Sequence, residues 1–152
     1  MTERPAGIAD TDVFMTRAFN APRDLVWRFW TEPELLSKWF GPHTTHAPAE
    51  LMQIDMRVGG SWNVIMVDNE TGEHYPVQST IVELEKPVYF LGEQSSDPEK
   101  GFAEKMFLRV EFHDHGDKTR VTLHQGPFSA EFRDMTIAGW EESFVTMDGE
   151  FA

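Results

Sequence analysis

Residues Ala21–Pro42 read APRDLVWRFWTEPELLSKWFGP and hold three of the chain's five tryptophans, Trp27, Trp30 and Trp39. Pro22 suits the first turn of a helix, where its missing N–H costs nothing. A helix then runs over about Arg23–Thr31. Val26, Trp27 and Trp30 fall on one apolar stripe, and Phe29 widens it. Pro33 breaks that run and starts a second short helix, with Leu35, Leu36, Trp39 and Phe40 at helical spacing and Gly41-Pro42 at its end. Two amphipathic helices joined at a proline form a wedge. Its aromatic side needs a cover, and the rest of the chain must supply it.

Upstream, Met1–Thr11 has no periodicity and reads as a loose lead-in, and Asp12–Asn20 reads as a first strand. Val13, Met15 and Arg17 share one face of it. Downstream, His43–Pro48 reads as a loop and Ala49–Met56 as a strand. Val58-Gly59-Gly60 is a turn. Ser61–Asp68 alternates cleanly, with Trp62, Val64 and Met66 on one face. Asn69–Gly72 is a hairpin turn. Glu73–Glu85 is a long strand region with Pro76 near its start, where proline is tolerated. Lys86-Pro87 turns the chain into Val88–Gln94, and Ser95–Gly101 has loop composition. Glu104–His113 is the clearest half-buried strand, with Met106, Leu108, Val110 and Phe112 on one face and Phe107, Arg109 and Glu111 on the other. His115–Lys118 turns it, and Thr119–Gln125 is the last strand.

After Gly126-Pro127 the period lengthens. Ala138, Trp140, Phe144, Met147 and Phe151 recur at helical spacing in a long amphipathic helix, with a break expected near Gly139. One strand, two short helices, about six consecutive strands and a long helix describe an α+β domain with an antiparallel sheet. No linker divides the chain, so residues 1–152 are expected to form one domain. A strongly curved sheet gripping the C-terminal helix is expected to leave a cavity that the wedge closes at one end.

The formal net charge is −13, from 26 acidic and 13 basic residues, which disfavours nucleic acid and anionic membrane surfaces as partners. There is no cysteine, so disulfides, thiolate metal sites and cysteine nucleophiles are excluded. No apolar run approaches the ~20 residues that span a bilayer, and the polar N-terminus lacks a signal-peptide apolar region. A cytoplasmic location is the expectation.

The order of these motifs resembles the START-like (SRPBCC) superfamily with its helix-grip, birch-pollen-allergen-like fold. Within it, the chain is similar to the activators of heat shock protein 90 ATPase homologues. The resemblance rests on Phe19-x-Ala21-Pro22, Val26-Trp27, Thr31-x-Pro33-Glu34, Trp39-x-Gly41-Pro42, Val58-Gly59-Gly60-x-Trp62, Ile81–Leu84 with its Pro87 turn, Thr119–Leu123 and Gly139-Trp140. It runs from about Phe19 to Trp140. One departure is the helix after Trp140, usually richer in leucine and here carrying Phe144, Met147 and Phe151, which bears on cavity shape or a dimer contact. The resemblance implies a general small-molecule binder. It leaves open a homodimer, a chaperone partner and a role in stress response.

Three functions are weighed from the residues. A binding protein for a small hydrophobic or aromatic molecule would be lined by Trp39, Trp62, Val64, Met66, Met106, Leu108, Trp140 and Phe144, since such pockets are mostly apolar. An enzyme resembling the polyketide cyclases and aromatases would need Glu83, Arg109 or His124 to converge in the pocket. Glu83 has an ion pair with Arg109 or Arg120 as its structural alternative. Arg109 is expected on the convex side of the sheet, and His124 either at a cavity mouth or as a hydrogen-bonded surface histidine. A chaperone co-factor or other interaction module would expose an apolar patch. No nucleophile elbow, metalloprotease helix or phosphate loop is present, so no catalytic residue, metal ligand or cofactor is assigned. His113-Asp114-His115 and the His43/His46 loop are read as solvated polar residues.

Overall fold

In the computed structural model, which describes residues 12–94 and 105–152, strands and helices follow the order that the hydrophobic periodicities dictate. They are β1 (Val13–Phe19), α1 (Arg23–Thr31), α2 (Pro33–Leu36), β2 (Thr45–His46), β3 (Gln53–Ile54), β4 (Ser61–Asp68), β5 (His74–Glu85), β6 (Tyr89–Gln94), β7 (Met106–His115), β8 (Lys118–Gly126) and α3 (Ala130–Glu150). The lead-in over Met1–Thr11 and the loop over Ser95–Gly101 lie outside the described residues. The class is α+β: a curled antiparallel sheet with the long C-terminal helix, as the helix-grip fold requires.

Along the sheet the strands lie in the order β1-β8-β7-β6-β5-β4-β2, with β3 also pairing to β4. Residues directly opposite on paired strands share a face. One such row runs Met15–Leu123–Val110–Phe90–Leu84, and a second runs Val13–Gln125–Leu108–Gly92–Ile81. Both belong to the inner face, where Leu108, Val110, Leu123 and Phe90 are fully buried. The neighbouring row Phe14–His124–Arg109–Leu91–Glu83 belongs to the outer face.

Four local expectations are corrected. The second helix of the wedge is a single turn, Pro33–Leu36, so Trp39 and Phe40 follow it instead of lying on its stripe. Ala49–Met56 is not one strand: Ala49–Leu51 forms a 3-10 turn directly after Pro48, and only Gln53–Ile54 pairs with β4. The expected loop His43–Pro48 contains β2, paired with the far end of β4. The C-terminal helix is unbroken at Gly139. A glycine inside a helix costs about 0.5–1 kcal/mol relative to alanine, and here it lies beside Pro42 of the wedge. A side chain at Gly139 would meet Pro42 at 3.4 Å. The Ser129 hydroxyl caps α3 by accepting from the Phe132 N–H.

The wedge inserts between sheet and helix instead of resting on the rim. Trp27 packs edge-on against Phe90 and Phe112 of the inner face. Phe29 meets Phe151 just beyond α3, with ring centroids 4.8 Å apart. The exit from α2 is then latched to α3. The Gly41 N–H donates to Ser143 Oγ at 2.9 Å, and the His43 N–H donates to Glu142 Oε1 at 2.9 Å. Gly41 has φ +102°, a left-handed conformation that favours glycine.

The tryptophan cluster and its polar thread

Trp30 lies at the centre of the interior and is fully buried. Its ring stacks between Trp62 of β4, at 6.2 Å, and Trp140 of α3, at 5.7 Å. Trp39 packs against it at 4.8 Å and Phe144 at 6.3 Å. Four of the eight expected lining residues, Trp39, Trp62, Trp140 and Phe144, are thus gathered around one side chain that was not among them. Val64, Met106 and Leu108 are buried on the inner face, and Met66 is half-buried close to Gly41.

The indole N–H groups are placed differently. Trp39 donates to the Phe29 carbonyl at 2.9 Å and Trp62 to the Trp30 carbonyl at 2.8 Å. These bonds fix both rings to α1. The Trp30 Nε1–H has no acceptor among the described residues. A buried donor left unpaired costs about 1–3 kcal/mol.

Trp140 begins a chain of buried side-chain hydrogen bonds. It donates to Gln125 Oε1 at 2.9 Å, Gln125 Nε2 donates to Gln94 Oε1 at 3.0 Å, and Gln94 Nε2 donates to Ser79 Oγ at 3.2 Å. An indole can only donate, so its partner on Gln125 must be the oxygen. The orientation of both amides and the acceptor role of Ser79 follow from that. All three side chains are more than nine-tenths buried. Ser79 pairs across the sheet with Trp62, so the thread spans the inner face from one stacked tryptophan to the other. Sequence reading passed over Gln94 and Gln125. Their signal was available, because both sit at inward positions of strands whose other inward residues are apolar.

Glu83, Arg109 and His124 do not reach this interior. They occupy one row of the outer face. Glu83 accepts from the Tyr89 hydroxyl at 2.9 Å, in place of the expected ion pair with Arg109 or Arg120. That hydrogen bond, more than any other influence, raises the Tyr89 phenol above its ordinary pKa. The Arg109 guanidinium stacks on the Tyr89 ring at 4.4 Å, on the outer side expected for it. His124 Nε2 lies 2.9 Å from Asp12 Oδ2, between the rings of Phe14 and Phe107. Asp12 is the one buried ionisable residue among those described. At the rim of the inner face Arg17 pairs with Asp148 of α3.

The remaining polar candidates have structural partners. His43 contacts Glu142 and Thr146, His46 bonds Asn69 at 2.6 Å, and His113 bonds Thr122 at 3.2 Å. Among the described residues no group of three or more His, Asp or Glu could hold a metal ion. An open surface groove bounded by Glu32, Pro33, Glu34, Ala49 and Glu50 carries three carboxylates, of which Glu32 is paired with Arg28 at 2.7 Å. No helix among the described residues is long and apolar enough to cross a membrane.

A curled antiparallel sheet closed over a long C-terminal helix defines a START-like module of the helix-grip type. The chain belongs to the family described as Activator of Hsp90 ATPase homolog 1-like protein, whose model matches residues 20–152. Membership makes it a ligand-binding or co-chaperone-like module. Solved structures share the fold. A protein of Nitrosomonas europaea is 24% identical, with a TM-score of 0.75 over 93% of this chain and 94% of its own. An AHSA1 protein of Silicibacter pomeroyi is 22% identical, with a TM-score of 0.73 over 91% and 96%. A protein of Mycobacterium smegmatis is 22% identical, with a TM-score of 0.75 over 99% and 96%. No curated protein matches the chain.

Proposed function

We propose that the protein binds a small, largely apolar aromatic molecule between the inner face of the sheet and α3, against the tryptophan cluster. The observation that carries this reading is the Trp30 indole N–H, buried among rings and without an acceptor among the described residues. A ligand that brings an acceptor to that donor recovers part of the cost of leaving it unpaired. Its ring meets Trp39, Trp62, Trp140 and Phe144, with Val64, Met66, Met106 and Leu108 as the apolar surround. Because the rings already pack on one another, entry requires them to part, and tryptophan fluorescence reports it.

Neither alternative has comparable support. The polar groups required by a cyclase-like enzyme lie on the opposite face of the sheet. Among the described residues the exposed large apolar side chains are Val58, Tyr75, Met135 and Val145. Met135 and Val145 are ten positions apart on α3, about 15 Å along its axis, so they do not make the contiguous patch that a docking module presents.

The test is a panel of uncharged aromatic and lipid-like compounds, read by melting temperature and tryptophan fluorescence. The expected result is a rise in melting temperature with aromatic members and a change in emission that shrinks in Trp30→Phe. A panel without any shift overturns the reading.

A further inference from the structure

We propose that Ser79, Gln94 and Gln125, aligned by Trp140, form the polar floor of the binding site and select an uncharged ligand through an oxygen acceptor. This rests on the interior being a binding site, as proposed above.

The hydrogen-bond inventory of the thread carries the inference. Each primary amide offers two N–H donors and a carbonyl oxygen with two lone pairs. The thread uses one N–H of Gln125 and one of Gln94. It uses the Ser79 oxygen as an acceptor, which leaves the serine proton to be donated elsewhere. One N–H on each glutamine and the Ser79 O–H are therefore unspent within the thread. Two carbonyl lone pairs are unspent as well, but a buried N–H without a partner is tolerated less readily than a second carbonyl lone pair. The surplus demand of the floor is thus for an acceptor. The unpaired Trp30 N–H, on the ring stacked against Trp140, adds to the same demand.

Charge decides the rest of the chemistry. The thread consists of neutral groups. Among the described residues the nearest thing to an inner-face cation is Arg17, which is partly exposed and already paired with Asp148. An anion would lose its hydration without gaining a counter-charge, and that desolvation outweighs hydrogen bonds to neutral donors. A ketone, ester, lactone or ether oxygen on an aromatic body fits the floor, and a carboxylate does not.

Packing holds the floor in place. Gly92 lies on the inner face between Leu108 and Ile81. A side chain there would come within 2.8 Å of the Ser79 Cβ. The absence of a side chain lets β5 and β6 bring Ser79 and Gln94 into hydrogen-bond reach.

The test uses four probes with one ring system: naphthalene, methyl naphthyl ketone, naphthoate and naphthylmethylammonium. Each is titrated into the full-length protein and followed by tryptophan fluorescence and calorimetry. The ketone is expected to bind about tenfold tighter than naphthalene, the gain of one or two net hydrogen bonds, and both ions are expected to bind more weakly than the ketone. Gln94→Met and Gln125→Met, which keep side-chain length and remove the amide, are expected to abolish the ketone's advantage over naphthalene. Equal binding of ketone and naphthalene, or tighter binding of naphthoate, overturns the polar floor while leaving an apolar site standing. Failure of all four probes overturns the floor and the binding function together. The wild-type comparison decides the matter even if a variant does not fold.

Discussion

Removing one oxygen at Ser143 tests how the wedge is held against α3. The Ser143 hydroxyl accepts from the buried Gly41 N–H at 2.9 Å and donates to the Gly139 carbonyl of its own helix at 2.9 Å. Ser143→Ala removes very little volume and strands the Gly41 N–H. A buried donor without a partner costs about 1–3 kcal/mol. Alanine returns up to roughly 0.5 kcal/mol through its better helix propensity. The net expectation is a loss of about 1–2 kcal/mol. For a domain of this size that is a fall in melting temperature of about 3–6 °C. Urea denaturation followed by tryptophan emission measures it, with an unchanged m-value as the sign that both end states are preserved. The comparison is Glu142→Ala, one residue away. It removes the acceptor for the exposed His43 N–H. Water can replace that bond, so the change should stay within about 0.5 kcal/mol. A Ser143→Ala protein as stable as the wild type would refute the reasoning, because the Gly41 N–H would then have another acceptor.

Two further outcomes are expected. Gly41→Ala should cost at least about 2 kcal/mol in the same assay, since it adds left-handed strain to a clash; its Cβ would sit 2.6 Å from Thr45 Oγ1. The third concerns pH. His113 has its pKa lowered below 6.5, first by burial and then by Arg120. The folded state therefore binds that proton less readily than the unfolded state. The contribution is fully present above 6.5 and is lost as pH falls from there through the folded-state value. Between pH 7.5 and 5.5, His113→Gln should lose less stability than the wild type; an equal or greater loss would remove His113 as a source of the slope.

Much of the fold was legible because its signals are local. The alternation of Met106, Leu108, Val110 and Phe112 needs only the two-residue period of a strand, and these four residues are buried as that period requires. The same period placed Arg109 on the opposite face, where it lies. The wedge was legible from Pro22, Pro33 and the spacing of its aromatic residues. Where the local reading failed, a neighbouring element had decided the outcome. The apolar alternation through Ala49–Met56 continues past what pairs with β4, and only Gln53 and Ile54 find partners there. Gly139 suggested a helix break and instead marks where α3 passes Pro42.

Taken alone, the sequence determined the class of the domain, the order of its elements and the aromatic character of its interior. Each of these follows from residue type and short-range period. The tertiary structure decided that Trp30 stands in the middle of that interior. It also decided that Gln125 and Gln94, 31 positions apart, meet beneath Trp140. The physical reason is that a strand's period fixes which face a side chain takes, whereas its hydrogen-bond partner depends on sheet register and on where a distant helix is laid across the sheet.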